Sequence, residues 1–144
     1  MLNKFHRSLE ISRALFNNIE KSAPRCRHFS FVYYQNKLIS IGQNNKKTHP
    51  INLKNPVFSE NGQNLSEIKG CCSEMIALLK VKRKTNLAFN KCELYNIRID
   101  KNGVVCNSYP CKSCQNLILF LGIKKVYYTN YQGSIKKYEK FNFT

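Results

Sequence analysis

Apolar residues in this chain recur first at helical and then at strand spacing. Between residues 5 and 21, Leu9, Ile11, Ala14, Leu15 and Ile19 fall on one face, which predicts an N-terminal amphipathic helix within 1–22 that packs one side on a larger body and ends at Pro24. Phe29-Ser30-Phe31-Val32-Tyr33-Tyr34 and Leu38-Ile39-Ser40-Ile41, joined by Gln35-Asn36-Lys37, read as a β-hairpin. A polar stretch over 43–70 follows, with two prolines and two glycines; its length marks a functional or partly ordered insert. A helix is predicted near 72–83, where Met75, Ile76, Leu78, Leu79 and Val81 are apolar and basic residues crowd the last turn, as the helix dipole favours. Glu93 to Ile99 alternates polar and apolar and reads as a strand. Asp100-Lys101-Asn102-Gly103 is a turn, and Val104-Val105-Cys106 is placed to return beside that strand. A second buried helix spans about 111–121 and stops at Gly122, a C-cap residue, before a strand over 124–129.

Helix, hairpin, helix, strand, helix, strand implies an α/β fold with a sheet flanked by helices. Only Thr-Asn-Tyr-Gln-Gly-Ser separates Tyr128 from Ile135, whereas a parallel crossover needs about a dozen residues. A last strand within 130–144 must therefore pair antiparallel with 124–129. No repeat or low-complexity linker divides the 144 residues, so one domain over 1–144 is expected.

Composition adds a compartment and a charge. No window approaches the roughly 18 apolar residues of a spanning helix, and no apolar run with a cleavage site follows the basic N-terminus, so neither membrane nor secretion is expected. Seven cysteines, an odd number without a secretory signal, argue for thiols and metal ligands in a reducing cytoplasm over a disulfide frame. Twenty-four Lys and Arg against eight Asp and Glu leave a net charge of +16. That field attracts phosphate-bearing partners. Compositional drift in an Asn-, Lys- and Ile-rich chain would give the same total. The short runs Arg25-Cys26-Arg27-His28, Lys46-Lys47 and Lys136-Lys137 read most simply as solvated faces, and only Lys46 and Lys47 are placed to meet a substrate phosphate.

Chemistry concentrates at two helix starts, Cys72-Ser73-Glu74 and Pro110-Cys111-Lys112-Ser113-Cys114. Either fragment alone is ordinary. Together they suit a catalytic zinc site, which takes three protein ligands and leaves a fourth position for water. Unpaired amides at a helix N-terminus favour thiolate over thiol. A structural site would instead be closed by a fourth ligand, for which Cys71 and Cys106 are available. Buried thiols are the plainest reading of all.

The same residues resemble the zinc nucleobase deaminases, whose signature is H-x-E…P-C-x-x-C with a three-cysteine variant. The resemblance spans roughly 29–129. It implies the three-layer α/β/α cytidine deaminase-like sandwich, a mixed sheet of about five strands with an antiparallel C-terminal pair. It also implies Zn2+ held by Cys72, Cys111 and Cys114, with Glu74 as proton shuttle. For substrate contacts it points to Asn44 at the hairpin's exit, and to Ser73, Tyr109 and Pro110 around the motifs. His49, in Lys47-Thr48-His49-Pro50, is similar to a stretch in deaminase-like proteins of phages and large viruses. Ser73 stands where Ala is usual. Cys72 stands where nucleotide, tRNA and polynucleotide editors carry His; Cys there, like the antiparallel end, is similar to the cytidine-type branch. The expected activity is hydrolytic conversion of cytosine to uracil in a nucleoside, nucleotide or single-stranded nucleic acid, in a chain that can form homo-oligomers. The alternatives are a non-catalytic zinc-stabilised nucleic-acid-binding module and an adenosine deaminase acting on RNA.

Overall fold

Alternation along the strands sends two apolar sets to opposite faces of one sheet, and both sets find helices to cover them. A computed structural model describes residues 2–18, 27–44, 72–84, 86–130 and 132–138. The elements are α1 (Leu2–Asn17), β1 (Arg27–Tyr34), β2 (Lys37–Gln43), α2 (Ser73–Lys84), β3 (Cys92–Ile99), β4 (Val105–Cys106), α3 (Lys112–Leu121), β5 (Lys125–Thr129) and β6 (Ile135–Lys137). Residues 45–70 of the expected insert, 19–22 of the expected first helix and 139–144 of the C-terminal segment lie outside the described residues.

The sheet runs β2-β1-β3-β5-β6, with β4 also paired to β3. β3 and β5 run parallel with α3 between them, and every other pair is antiparallel. The short link before β6 does return antiparallel, Thr129 opposite Ile135. Six strands stand where about five were expected; the two-residue β4 accounts for the difference.

Phe29, Phe31, Tyr33, Tyr95, Ile97, Ile99 and Tyr127 face α1, packing with Phe5, Leu9 and Leu15. Val32, Leu94 and Val126 point the other way, against Met75, Leu78 and Leu79 of α2 and Leu117 and Ile118 of α3. Hence helices lie on both sides of the sheet, in three layers. α1 is tied down by the Ser8 and Tyr33 hydroxyls, 2.8 Å apart, and by a Lys4–Glu93 ion pair.

Two features seat the site-bearing helices. At Gly42 a Cβ would fall 2.2 Å from the Ser73 carbonyl oxygen and 2.6 Å from the Ala77 nitrogen, so only glycine lets the first turn of α2 lie this close to β2. Ser40 Oγ donates to the Ala77 carbonyl at 2.8 Å and Lys80 Nζ to that of Ile41 at 2.8 Å, fixing the same approach. At the far end of α3, Gly122 takes a left-handed conformation (φ 82°) and returns its N–H to Ile118 and Leu119, as its C-cap position predicts.

Candidate active site

The N-termini of α2 and α3 meet at a cluster of cysteines, and Ser73 at the start of α2 is bonded to Ser30 of β1. Cys72 immediately precedes α2 and its carbonyl accepts the Ile76 N–H; Cys111 caps α3 in an extended conformation and its carbonyl accepts the Gln115 N–H. Cys114 follows in the first turn of α3. Their three sulfurs lie within 4.8 Å of one another, Cys72 and Cys111 at 3.7 Å. A zinc ion with Zn–S bonds of about 2.3 Å in a tetrahedral arrangement holds neighbouring sulfurs about 3.8 Å apart, so this cluster fits zinc without rearrangement of the helices. Among the described residues no fourth Cys, His, Asp or Glu joins it: Cys106 is outside the cluster, and Cys71 lies outside the described residues. Cys114 is fully buried, Cys72 half-buried and Cys111 exposed, so the cluster is closed below and open on one side.

Its electrostatics are those of a site built for a cation. Hydrogen bonds from Cys114 and Cys72, helped by the amides of Cys114 and Ser113 at the start of α3, hold the Cys111 thiol far below its ordinary range. Cys72 and Cys114 are pushed up, chiefly because they donate to that same thiolate. A divalent ion bound there would take the place of the protons on these thiols.

Glu74 is 4% exposed in the first turn of α2. Burial raises its pKa, and the Cys111 charge adds to this; its own backbone amide and the Ser73 hydroxyl, 3.0 Å from Oε1, partly offset both.

The other predicted residues scatter around this centre. Asn44 is stitched to the start of β1: its amide N–H donates to the His28 carbonyl, and its Oδ1 accepts the His28 N–H, both at 3.1 Å. The Ser73 hydroxyl is engaged by Glu74 and by Ser30, 2.7 Å away. Tyr109 packs edge-on against Tyr128 (5.0 Å between ring centres) and beside Tyr138. Pro110 is buried and its carbonyl accepts from Gln115 Nε2 at 2.8 Å, while Tyr138 donates to Gln115 Oε1 at 2.9 Å, so β6 braces the turn that carries Cys111. Ser108 continues that brace, donating to the Asn96 carbonyl at 2.7 Å and accepting from the Thr129 N–H. His49 lies outside the described residues.

Sequence reasoning missed His28, Ser30 and Asn96. His28 sits opposite Arg98 at the head of β1, and burial, followed by the Arg98 charge, lowers its pKa to about 4, against a raising pull from Cys111. It had been read as part of a solvated basic run. Ser30 and Asn96 are opposite one another on the site face, both buried. The signal for them was a polar residue at the centre of a strand covered on both faces.

Comparison with known proteins agrees with this geometry. Residues 28–130 match the sequence profile of the cytidine and deoxycytidylate deaminase zinc-binding region. No curated protein sequence matches the chain. Among solved structures, the chain is similar to dCMP deaminase from the cyanophage S-TIM5 in apo form, with a TM-score of 0.53 and 18% identity over 87% of this chain and 81% of that one, a likeness of fold. With the matched region running from the head of β1 to the end of β5 and enclosing both cysteine motifs, the chain belongs to the cytidine and deoxycytidylate deaminase family of zinc-binding proteins.

Proposed function

We propose that the protein hydrolytically deaminates cytosine in a phosphate-bearing substrate, a cytidine or deoxycytidine nucleotide before a single-stranded nucleic acid. The observation that carries this reading is the buried Glu74 carboxyl on the same helix turn as an open three-cysteine cluster. Cys72, Cys111 and Cys114 would hold zinc, which when bound supplies Lewis acidity and an acidified water.

Glu74 has the chemistry of the proton carrier. A carboxyl whose pKa is raised by burial can both accept a proton and return it. It takes one proton from the attacking water and gives it to the ring nitrogen beside C4, then takes the proton of the resulting C4 hydroxyl and delivers it to the departing amine. Cytosine and water are consumed; uracil and ammonia leave. The positive N-terminal ends of α2 and α3 offset the −1 charge that three thiolates leave on a divalent ion. Asn44 is anchored through Oδ1, which leaves its Nδ2 as the donor available to a sugar or base.

The preference for cytosine rests on the family, and on the similarity to a dCMP deaminase. The preference for phosphate rests on the net charge of +16. One panel tests both: cytidine, deoxycytidine, their monophosphates, adenosine, single-stranded DNA and RNA, read as ammonia release. The expected result is a kcat/KM at least ten-fold higher for a monophosphate than for its nucleoside. Equal rates on both remove the phosphate preference. Release only from adenosine overturns the cytosine reading, and binding of nucleic acid with no release from any substrate favours the non-catalytic module.

A further inference from the structure

Behind Glu74 runs a line of buried polar groups that leads away from the cysteines into the sheet. Ser73 Oγ lies 3.0 Å from Glu74 Oε1, Ser30 Oγ lies 2.7 Å from Ser73 Oγ, and Asn96 Oδ1 lies 2.7 Å from Ser30 Oγ. Ser73, Ser30 and Asn96 are exposed by no more than 2% each, and they come from three different elements, α2, β1 and β3. On this face Val32 and Leu94 follow one pair further along the same two strands, and His28 and Arg98 stand one pair before. Buried hydroxyls in such a setting are costly unless each is hydrogen-bonded.

Counting protons shows what the line can do. It holds three oxygen contacts, and its two hydroxyls supply two protons. The third must come from one end. If it comes from Glu74, the carboxyl donates to Ser73, Ser73 to Ser30, and Ser30 to Asn96 Oδ1. If it comes from Asn96, whose Nδ2 is buried and has no hydrogen-bond partner among the described residues, a turned amide donates to Ser30, Ser30 to Ser73, and Ser73 to the carboxylate. In either arrangement the same four groups are bonded in one line, and Oε1 is held on a line fixed to the centre of the sheet.

We propose that Ser73, Ser30 and Asn96 are positioning residues that hold the Glu74 carboxyl in one orientation. This rests on Glu74 being the proton carrier of the reading above. Ser30 reaches Glu74 only through Ser73, so its loss isolates positioning from direct contact.

The test uses Ser30→Ala, Ser73→Ala and the double variant, with Ser30→Cys in place of Ser30→Ala if the latter does not fold. At equal zinc content, kcat should fall about three- to ten-fold in each single variant with KM within two-fold of the wild type. The double variant should be no slower than Ser73→Ala alone, because one break already cuts the chain. Independently of activity, the carboxyl 13C resonance of Glu74 in the zinc-free protein, assigned with Glu74→Gln, should move in Ser30→Ala. An active wild type with kcat unchanged in Ser30→Ala, multiplied losses in the double variant, or an unmoved resonance overturns the positioning role and leaves the deaminase reading standing. A wild type inactive on every substrate overturns both.

Discussion

Single residues carry most of the chemistry, and they differ in how visible they were in the sequence. Cys72, Cys111 and Cys114 were legible because a metal site needs a fixed ligand type at a fixed spacing, and the spacing survives without knowledge of the fold. Ser30 and Asn96 were not. In a strand read as alternating, a serine between Phe29 and Phe31 looks solvent-facing, and only the second helical layer makes it buried. His28 was hidden for a related reason, since a histidine in a basic run looks exposed until Arg98 is found opposite it. Its burial has a measurable consequence. The folded pKa of about 4 lies below the ordinary 6.5, so between these values the unfolded chain binds the additional proton. The contribution of neutral His28 is complete above about pH 6.5 and is lost as the pH falls toward 4, by up to about 3 kcal/mol. Urea unfolding across that window should show stability falling with acidity, and His28→Gln should flatten the fall. A slope unchanged by the substitution would contradict this account of the residue.

Elements were read from periodicity, and periodicity is what long, amphipathic segments display. The hairpin and both site-bearing helices follow from it; the antiparallel end followed from the short link before Ile135, and β4, too short to carry a period of its own, from the turn before it. What periodicity cannot show is how closely two elements approach. Gly42 looks like an unremarkable residue at the end of a strand, yet it sets the distance between β2 and α2, and so the height at which Cys72 and Glu74 stand above the sheet. A methyl group there meets backbone atoms of Ser73 and Ala77, which cannot move aside as a flexible side chain would. Gly42→Ala should cost about 1–3 kcal/mol of stability by overpacking and should lower zinc content as Cys72 shifts relative to Cys111. Thermal unfolding together with metal analysis checks this. Full zinc content and an unchanged midpoint would show that α2 does not depend on that contact.

At the scale of the whole molecule, the architecture brings two helix N-termini and a three-sulfur cluster to one point, in a chain whose net charge is +16. In the proposed function the charge acts at a distance and favours phosphate, while the cluster acts locally and favours a metal. Neither property by itself makes an enzyme, since a structural zinc module with a basic surface would share both. Glu74 is the residue that separates the two, because a buried carboxyl beside an open metal cluster costs stability and, among the described residues, pairs with no cation. The decisive measurement is ammonia release from deoxycytidine monophosphate by Glu74→Gln and wild-type protein matched for zinc content and fold. The account predicts at least a thousand-fold loss of kcat with zinc retained; comparable turnover by the two proteins would contradict it.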